Sequence, residues 1–164
     1  MKFNLLFSLL FLVSGCAGIP GGSSESSLEL AEIQQVTNRY LAAFNDGDLD
    51  TLAGCWHLPG WASTGKGSHP LLDRSAAKTL YGDLLKKIRA EGFDHSELLS
   101  EEFEMVNKGY AFWRITFTRW DKDGNFMPPE VHGAVYTLLL KDGRWGITTL
   151  VLLADPVTEA ITTQ

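Results

Sequence analysis

Three histidines, one tyrosine in a helical apolar stripe and a set of tryptophans are the side chains with which this 164-residue sequence can do chemistry. His57 and His69 flank a stretch rich in Gly, Ser and Pro, and His132 follows Glu130 by two residues. Residues two apart share one face of a strand, so Glu130 and His132 can meet as an acid/base pair, or simply as a rim pair. His57 can equally end a helix, where a cation suits the dipole. Tyr40 can donate to a developing negative oxygen, a bond strengthened in an apolar cavity. It can also be a core tyrosine with a satisfied hydroxyl. Tyr40, His57 and His132 are thus the candidate catalytic residues. Tyr40, Trp56, His57, Trp61, Trp113 and His132 are the candidate pocket for a small apolar ligand. Trp61, without a periodic partner, is expected to face the ligand or a lid. No H-x-H or C-x-x-C spacing occurs, so neither metal nor cofactor is assigned.

The elements that must position these groups follow from periodicity. Ser26-Ser27-Leu28-Glu29 has the form of a capping box. Ile33, Val36, Tyr40 and Phe44 then recur at helical spacing. Asn45-Asp46-Gly47-Asp48 ends this helix, and Asp48 caps a second one expected over Leu49 to about Trp56. A weak strand is expected around Trp61 to Thr64. A third helix starts near Asp73, with Ala77, Leu80, Leu84 and Ile88 on one face. From Phe93 the pattern is β. One strand runs from Ser96 to Val106, and Asn107-Lys108-Gly109 turns it. From Tyr110 to Trp120, Ala111, Trp113, Ile115 and Phe117 alternate with Arg114, Thr116 and Thr118. Asp121 to Asn125 makes a hairpin turn, Val131 to Leu140 the next strand, and Trp145 to Leu153 the last. The last two strands are apolar on both faces, so both faces need cover.

With 20 acidic against 14 basic residues the chain is unsuited to nucleic acid or to electrostatic binding of anionic lipid. The N-terminus supplies another route to membrane. Lys2 precedes an apolar run from Leu5 to Val13, far short of the roughly 20 residues that span a bilayer. Val13-Ser14-Gly15-Cys16 follows, and resembles the lipobox of bacterial lipoproteins. The resemblance implies cleavage before Cys16, acyl chains on that cysteine and membrane lipid as its partner. No acidic residue follows Cys16, which implies the outer membrane facing the periplasm if the source is Gram-negative. The expected organisation is signal peptide 1–15, lipidated tether 16–27, one domain 28–155 and a tail 156–164. With Cys16 lipidated, Cys55 stands alone and is expected to be a small buried hydrophobe.

Three helices followed by an antiparallel meander point to an α+β fold. Two motifs, Tyr40-Leu41-Ala42-Ala43-Phe44-Asn45-Asp46-Gly47-Asp48-Leu49-Asp50 and Gly143-Arg144-Trp145-Gly146-Ile147, stand in matching order. On these the chain resembles the nuclear transport factor 2-like superfamily (SnoaL-like and ketosteroid-isomerase-like proteins). The resemblance implies a cone-shaped, cystatin-like α+β barrel, with three N-terminal helices packed on a curved antiparallel sheet. It places Tyr40 where the isomerases carry their oxyanion-binding tyrosine. Their carboxylate base would fall near Thr64 and their second donor near Gly133 or Ala134, where no acid stands. The epoxide hydrolases of this fold need an Asp-Arg-Asp set, and Arg114 lies on the outward face of its strand. The expectation is therefore a non-enzymatic domain that binds a small apolar ligand or dimerises through the outer sheet face with Arg114, Thr116 and Thr118. The alternative is an isomerase, dehydratase or cyclase using Tyr40 with His57 or His132.

Overall fold

The computed structural model describes residues 23–65 and 67–153. Cys16, the leader, the first part of the tether and the 156–164 tail lie outside the described residues. The elements in chain order are α1 (Ser23–Asp46), α2 (Leu49–Gly54), β1 (Trp56–Thr64), β2 (Gly67–Leu71), α3 (Arg74–Ala90), β3 (Phe93–Asn107), β4 (Tyr110–Asp121), β5 (His132–Lys141) and β6 (Arg144–Leu153). The strands form one six-stranded sheet in the order β2-β1-β6-β5-β4-β3. Its pairings are antiparallel except β1 with β6, which run parallel. The sheet is therefore mixed and larger than the expected meander.

α1 buries Ile33, Val36, Tyr40 and Phe44 along the expected stripe. It starts at Ser23, so Ser26-Ser27-Leu28-Glu29 lies inside the helix rather than opening it. Once a stripe docks, adding residues to an existing helix costs little. At its far end the Ala43 carbonyl accepts from Asp48 N–H (2.9 Å) and the Phe44 carbonyl from Gly47 N–H (3.2 Å). Gly47 has φ +75°, and a Cβ there would meet the Arg89 guanidinium at 2.6 Å. That guanidinium donates to the Asn45 carbonyl at 3.2 Å, so α3 caps α1.

Asp48 caps α2 by accepting from Thr51 N–H (3.0 Å) and the Thr51 hydroxyl (2.6 Å). α2 ends at Gly54, earlier than expected, because Trp56 already pairs with Ile147 of β6. Asp73 caps α3 through Ala76 N–H at 2.8 Å. The buried stripe of α3 is Ala77, Tyr81, Leu85 and Ile88. Leu80 and Leu84, expected in it, stand partly buried beside it. Both stripes have helical spacing, and docking against α1 and α2 selects between them.

On β4, Ala111, Trp113, Ile115 and Phe117 are buried, as the alternation requires. Arg114 pairs outward with Glu104 at 3.0 Å and Glu102 at 3.7 Å. The Thr116 hydroxyl lies 2.6 Å from that of Ser100. Thr118, two residues further along the same face, is buried. After Asp121 the chain makes a single bridge, Trp120 with Phe126, and Met127 N–H donates to the Arg119 carbonyl at 2.8 Å. The hairpin is thus interrupted, and β5 begins at His132 rather than Val131. Asp142 (φ 54°) and Gly143 (φ 70°) then form the tight turn into β6.

Candidate functional site: a tyrosine-lined cone cavity

The helices lie across one face of the sheet and leave a cavity of about 300 Å³. α1 contributes Tyr40, Leu41, Phe44 and Asn45, and α3 contributes Tyr81 and Leu84. The sheet contributes Leu98 of β3, Phe117 and Arg119 of β4, Tyr136 of β5, and Leu150 and Leu152 of β6. Exposed Ala42 and Glu97 lie at the mouth. The walls are mostly apolar, with Tyr40, Asn45, Tyr81, Ser96, Arg119 and Tyr136 among them.

Three of these lining groups are phenols joined in one cluster. The Tyr136 hydroxyl donates to Tyr40 at 3.3 Å, and the hydroxyls of Tyr40 and Tyr81 lie 3.0 Å apart. Trp56 Nε1 donates to the Tyr81 hydroxyl at 3.2 Å. The rings of Tyr81 and Tyr136 meet Tyr40 edge-on, at 6.0 and 5.4 Å between centroids. Three hydroxyl protons serve two hydroxyl–hydroxyl bonds, so one proton, on Tyr40 or Tyr81, is left over. Burial first, and for Tyr40 the neighbouring Tyr81 next, pushes the three phenols above their ordinary value. They therefore stay protonated, as hydrogen-bond donors.

Arg119 continues the inner-face alternation of Trp113, Ile115 and Phe117. Its guanidinium lies 5.5 Å from the Phe117 ring centroid, and its Nε is buried without a hydrogen-bond partner. Burial lowers its pKa, yet an arginine remains charged. Among the described residues no carboxylate pairs with it. Asn45, by contrast, is fully engaged. Its Nδ2 donates to the Ser96 carbonyl and its Oδ1 accepts from Ser96 N–H, both at 2.9 Å, clamping α1 to β3.

Of the residues expected at a site, the structure brings Tyr40 to the cavity. Trp56 backs it through its bond to Tyr81. Trp113 is fully buried beneath it, 4.5 Å from Tyr136 and stacked on Phe103 at 6.2 Å between centroids. Trp61 sits on β1, 46% exposed, and lines neither this cavity nor a neighbouring one. His57 is held elsewhere: its Nε2 donates to the Arg144 carbonyl at 2.9 Å and its Nδ1 accepts from the Arg144 guanidinium at 3.1 Å. Both ring nitrogens are committed to joining β1 to β6. His69 lines a second, more open space of about 790 Å³ between β2 and α3. This space and the cone share the side chains Tyr81, Leu84, Leu150 and Leu152. Cys55 is buried, with its thiol 4.0 Å from the Val36 carbonyl, and burial raises its pKa.

His132 does reach the inner face, where its ring stacks on Phe117 at 5.1 Å. The expected pairing with Glu130 does not form. Glu130 precedes the strand and is exposed, so strand alternation does not apply to it. Burial, and then the Arg119 charge, pushes His132 from its ordinary 6.5 to about 4. Between those values the unfolded chain binds the extra proton and the folded chain does not. Stability is therefore lost as pH falls through this window. His132→Phe, which keeps the stack, should lose less stability between neutral pH and about pH 5 than the unmodified protein, read from urea midpoints. Parallel losses in both proteins would refute the assignment.

Tyr81, Tyr136 and Arg119 were not singled out from sequence. Arg119 alone left a signal, since it lies two residues beyond Phe117 on the same alternation.

Known proteins agree with this architecture. A protein of unknown function with a cystatin-like fold from Nostoc punctiforme superposes with a TM-score of 0.65 at 12% identity, over 80% of this chain and 94% of that one. An NTF2-like protein with a cystatin-like fold from Novosphingobium aromaticivorans gives 0.64 at 20% identity, over 82% and 90%. A hexachlorocyclohexane dehydrochlorinase, LinA type 2, gives 0.59 at 18% identity, over 79% and 86%. Such identities show the fold alone. A comparison with curated proteins finds no match. The sequence model of the family described as NTF2-like protein (DUF6841) matches residues 31–155. Helices, curved sheet and cone agree with that match, and the chain belongs to this NTF2-like family.

Proposed function

We propose that this protein is a lipid-anchored binding module that holds a small, largely apolar molecule in its cone. The observation that carries the reading is the cavity itself, mostly apolar along its walls, with a cluster of neutral phenols among them. About 300 Å³ is the lower end of the range for small-molecule pockets.

Enzymatic proton transfer is less well supported. The hydroxyl of Tyr40 meets two other phenols, with no histidine or carboxylate bonded to it. Phenols raised in pKa hold their protons. His132 at about 4 is a weak base, and Glu97 sits at the rim, accepting from Trp120 Nε1 at 3.0 Å. A dehydrochlorinase shares the fold, but the elimination its name describes needs a base that this cone does not supply in position.

The anchor rests on Lys2, the Leu5–Val13 run and Cys16. Among the described residues no helix is long and apolar enough to cross a membrane.

Two experiments test the halves separately. Ala42→Trp places a large ring at the exposed mouth, a surface change expected to alter stability by no more than about 0.5 kcal/mol. It should weaken binding of a neutral one-ring probe, 3-phenylpropanol, at least about tenfold by calorimetry, which is about 1.4 kcal/mol. Undiminished binding would show that the probe does not use the cone. Cys16→Ser should abolish metabolic lipid labelling and release the protein from the membrane fraction. Retained labelling refutes the anchor.

A further inference from the structure

The cone wall holds one guanidinium, that of Arg119, that forms no ion pair among the described residues. Continuing the β4–β5 register two residues past Phe117 and His132 would set Glu130 across from Arg119. The chain does not continue it. The Arg119 carbonyl accepts from Met127 N–H instead, and Glu130 is left exposed outside the strand. The guanidinium is thus held in the cavity wall by its pinned backbone and by Phe117, without an ion pair among the described residues. The same cavity is lined by the three phenols with their one uncommitted proton. The Arg119 Nε is buried without a hydrogen-bond partner, which is costly, and such a group in a cleft marks a site. Burial, and then the same guanidinium, keeps the neighbouring His132 uncharged.

We infer that the molecule the cone takes is an anion, a monocarboxylate with a compact apolar body, whose carboxylate is received by Arg119 and the spare phenolic proton. The planar guanidinium suits a carboxylate, and a phenol donates a strong bond to a charged acceptor. The apolar walls take the body. At about 300 Å³ the space is twice the roughly 150 Å³ that receives benzene, which fits one ring with a short acid side chain. This inference rests on the cone being a binding site.

The test compares three probes of one shape on the purified full-length chain by calorimetry: 3-phenylpropionate, 3-phenylpropanol and 3-phenylpropylamine. The acid should bind at least about tenfold more tightly than the alcohol, and the amine more weakly than either. Arg119→Gln should abolish the preference, so that acid and alcohol bind this variant equally. Arg119→Lys, which keeps the charge but not the fork, should retain part of the preference. If the alcohol binds as well as the acid in the unmodified protein, the inference fails while the binding module stands. An Arg119→Gln variant that melts cooperatively and still prefers the acid also overturns it. Binding of none of the three overturns both.

Discussion

Arg119→Met is expected to raise the melting temperature of the ligand-free protein. Methionine replaces the side chain as far as the buried Nε with apolar atoms beside Phe117, while the unpaired charge disappears. Replacing a partly buried, unpaired charge with an apolar group is expected to be stabilising by about 1 kcal/mol. In a domain of this size that moves the midpoint up by roughly 3–5 °C. Scanning calorimetry of the two ligand-free proteins measures it. A guanidinium placed for stability would give the opposite sign, since its removal would then lower the midpoint. Gain of stability together with loss of acid binding is the pattern expected of a residue kept for function.

Trp113→Ala should be the most damaging single change in the domain. The indole is fully buried, stacks on Phe103 and packs against Tyr136 and Tyr40. Its Nε1 donates to Glu101 at 3.3 Å. Truncation removes its transfer energy and leaves a void, about 3–5 kcal/mol together. That corresponds to a fall of roughly 10 °C or more in midpoint. Urea unfolding with an unchanged slope would register it directly. A loss below about 1 kcal/mol would mean that the sheet collapses to refill the space. Because Trp113 supports two of the three phenols from below, residual protein in this variant should also bind acid poorly.

Local pattern made much of this legible in advance. The α1 stripe through Tyr40, the cap at Asp48 and the inward set from Ala111 to Phe117 need only the periods of helix and strand. What escaped depends on distant pairing. The stretch from Trp56 to Leu71 is poor in alternation because its strands are secured by a parallel partner nearly 90 residues away and by an irregular register. Arg119 sits at a strand end, where a charged side chain ordinarily meets water. Only the return of the chain through Phe126 and Met127 makes that position part of a wall. Tyr81 was hidden by a choice between two adjacent stripes, Leu80–Leu84 and Tyr81–Leu85, that periodicity alone does not make. Tyr136 lies in a strand apolar on both sides, where its hydroxyl gave no directional cue.

The four side chains common to the cone and the open space beside it have a consequence for selectivity. Tyr81, Leu84, Leu150 and Leu152 border both spaces. The depth of the pocket is therefore set by side-chain length rather than by backbone. Trimming Leu84 or a leucine of β6 is expected to join the two spaces and lengthen the molecule that fits, while Arg119 stays as it is.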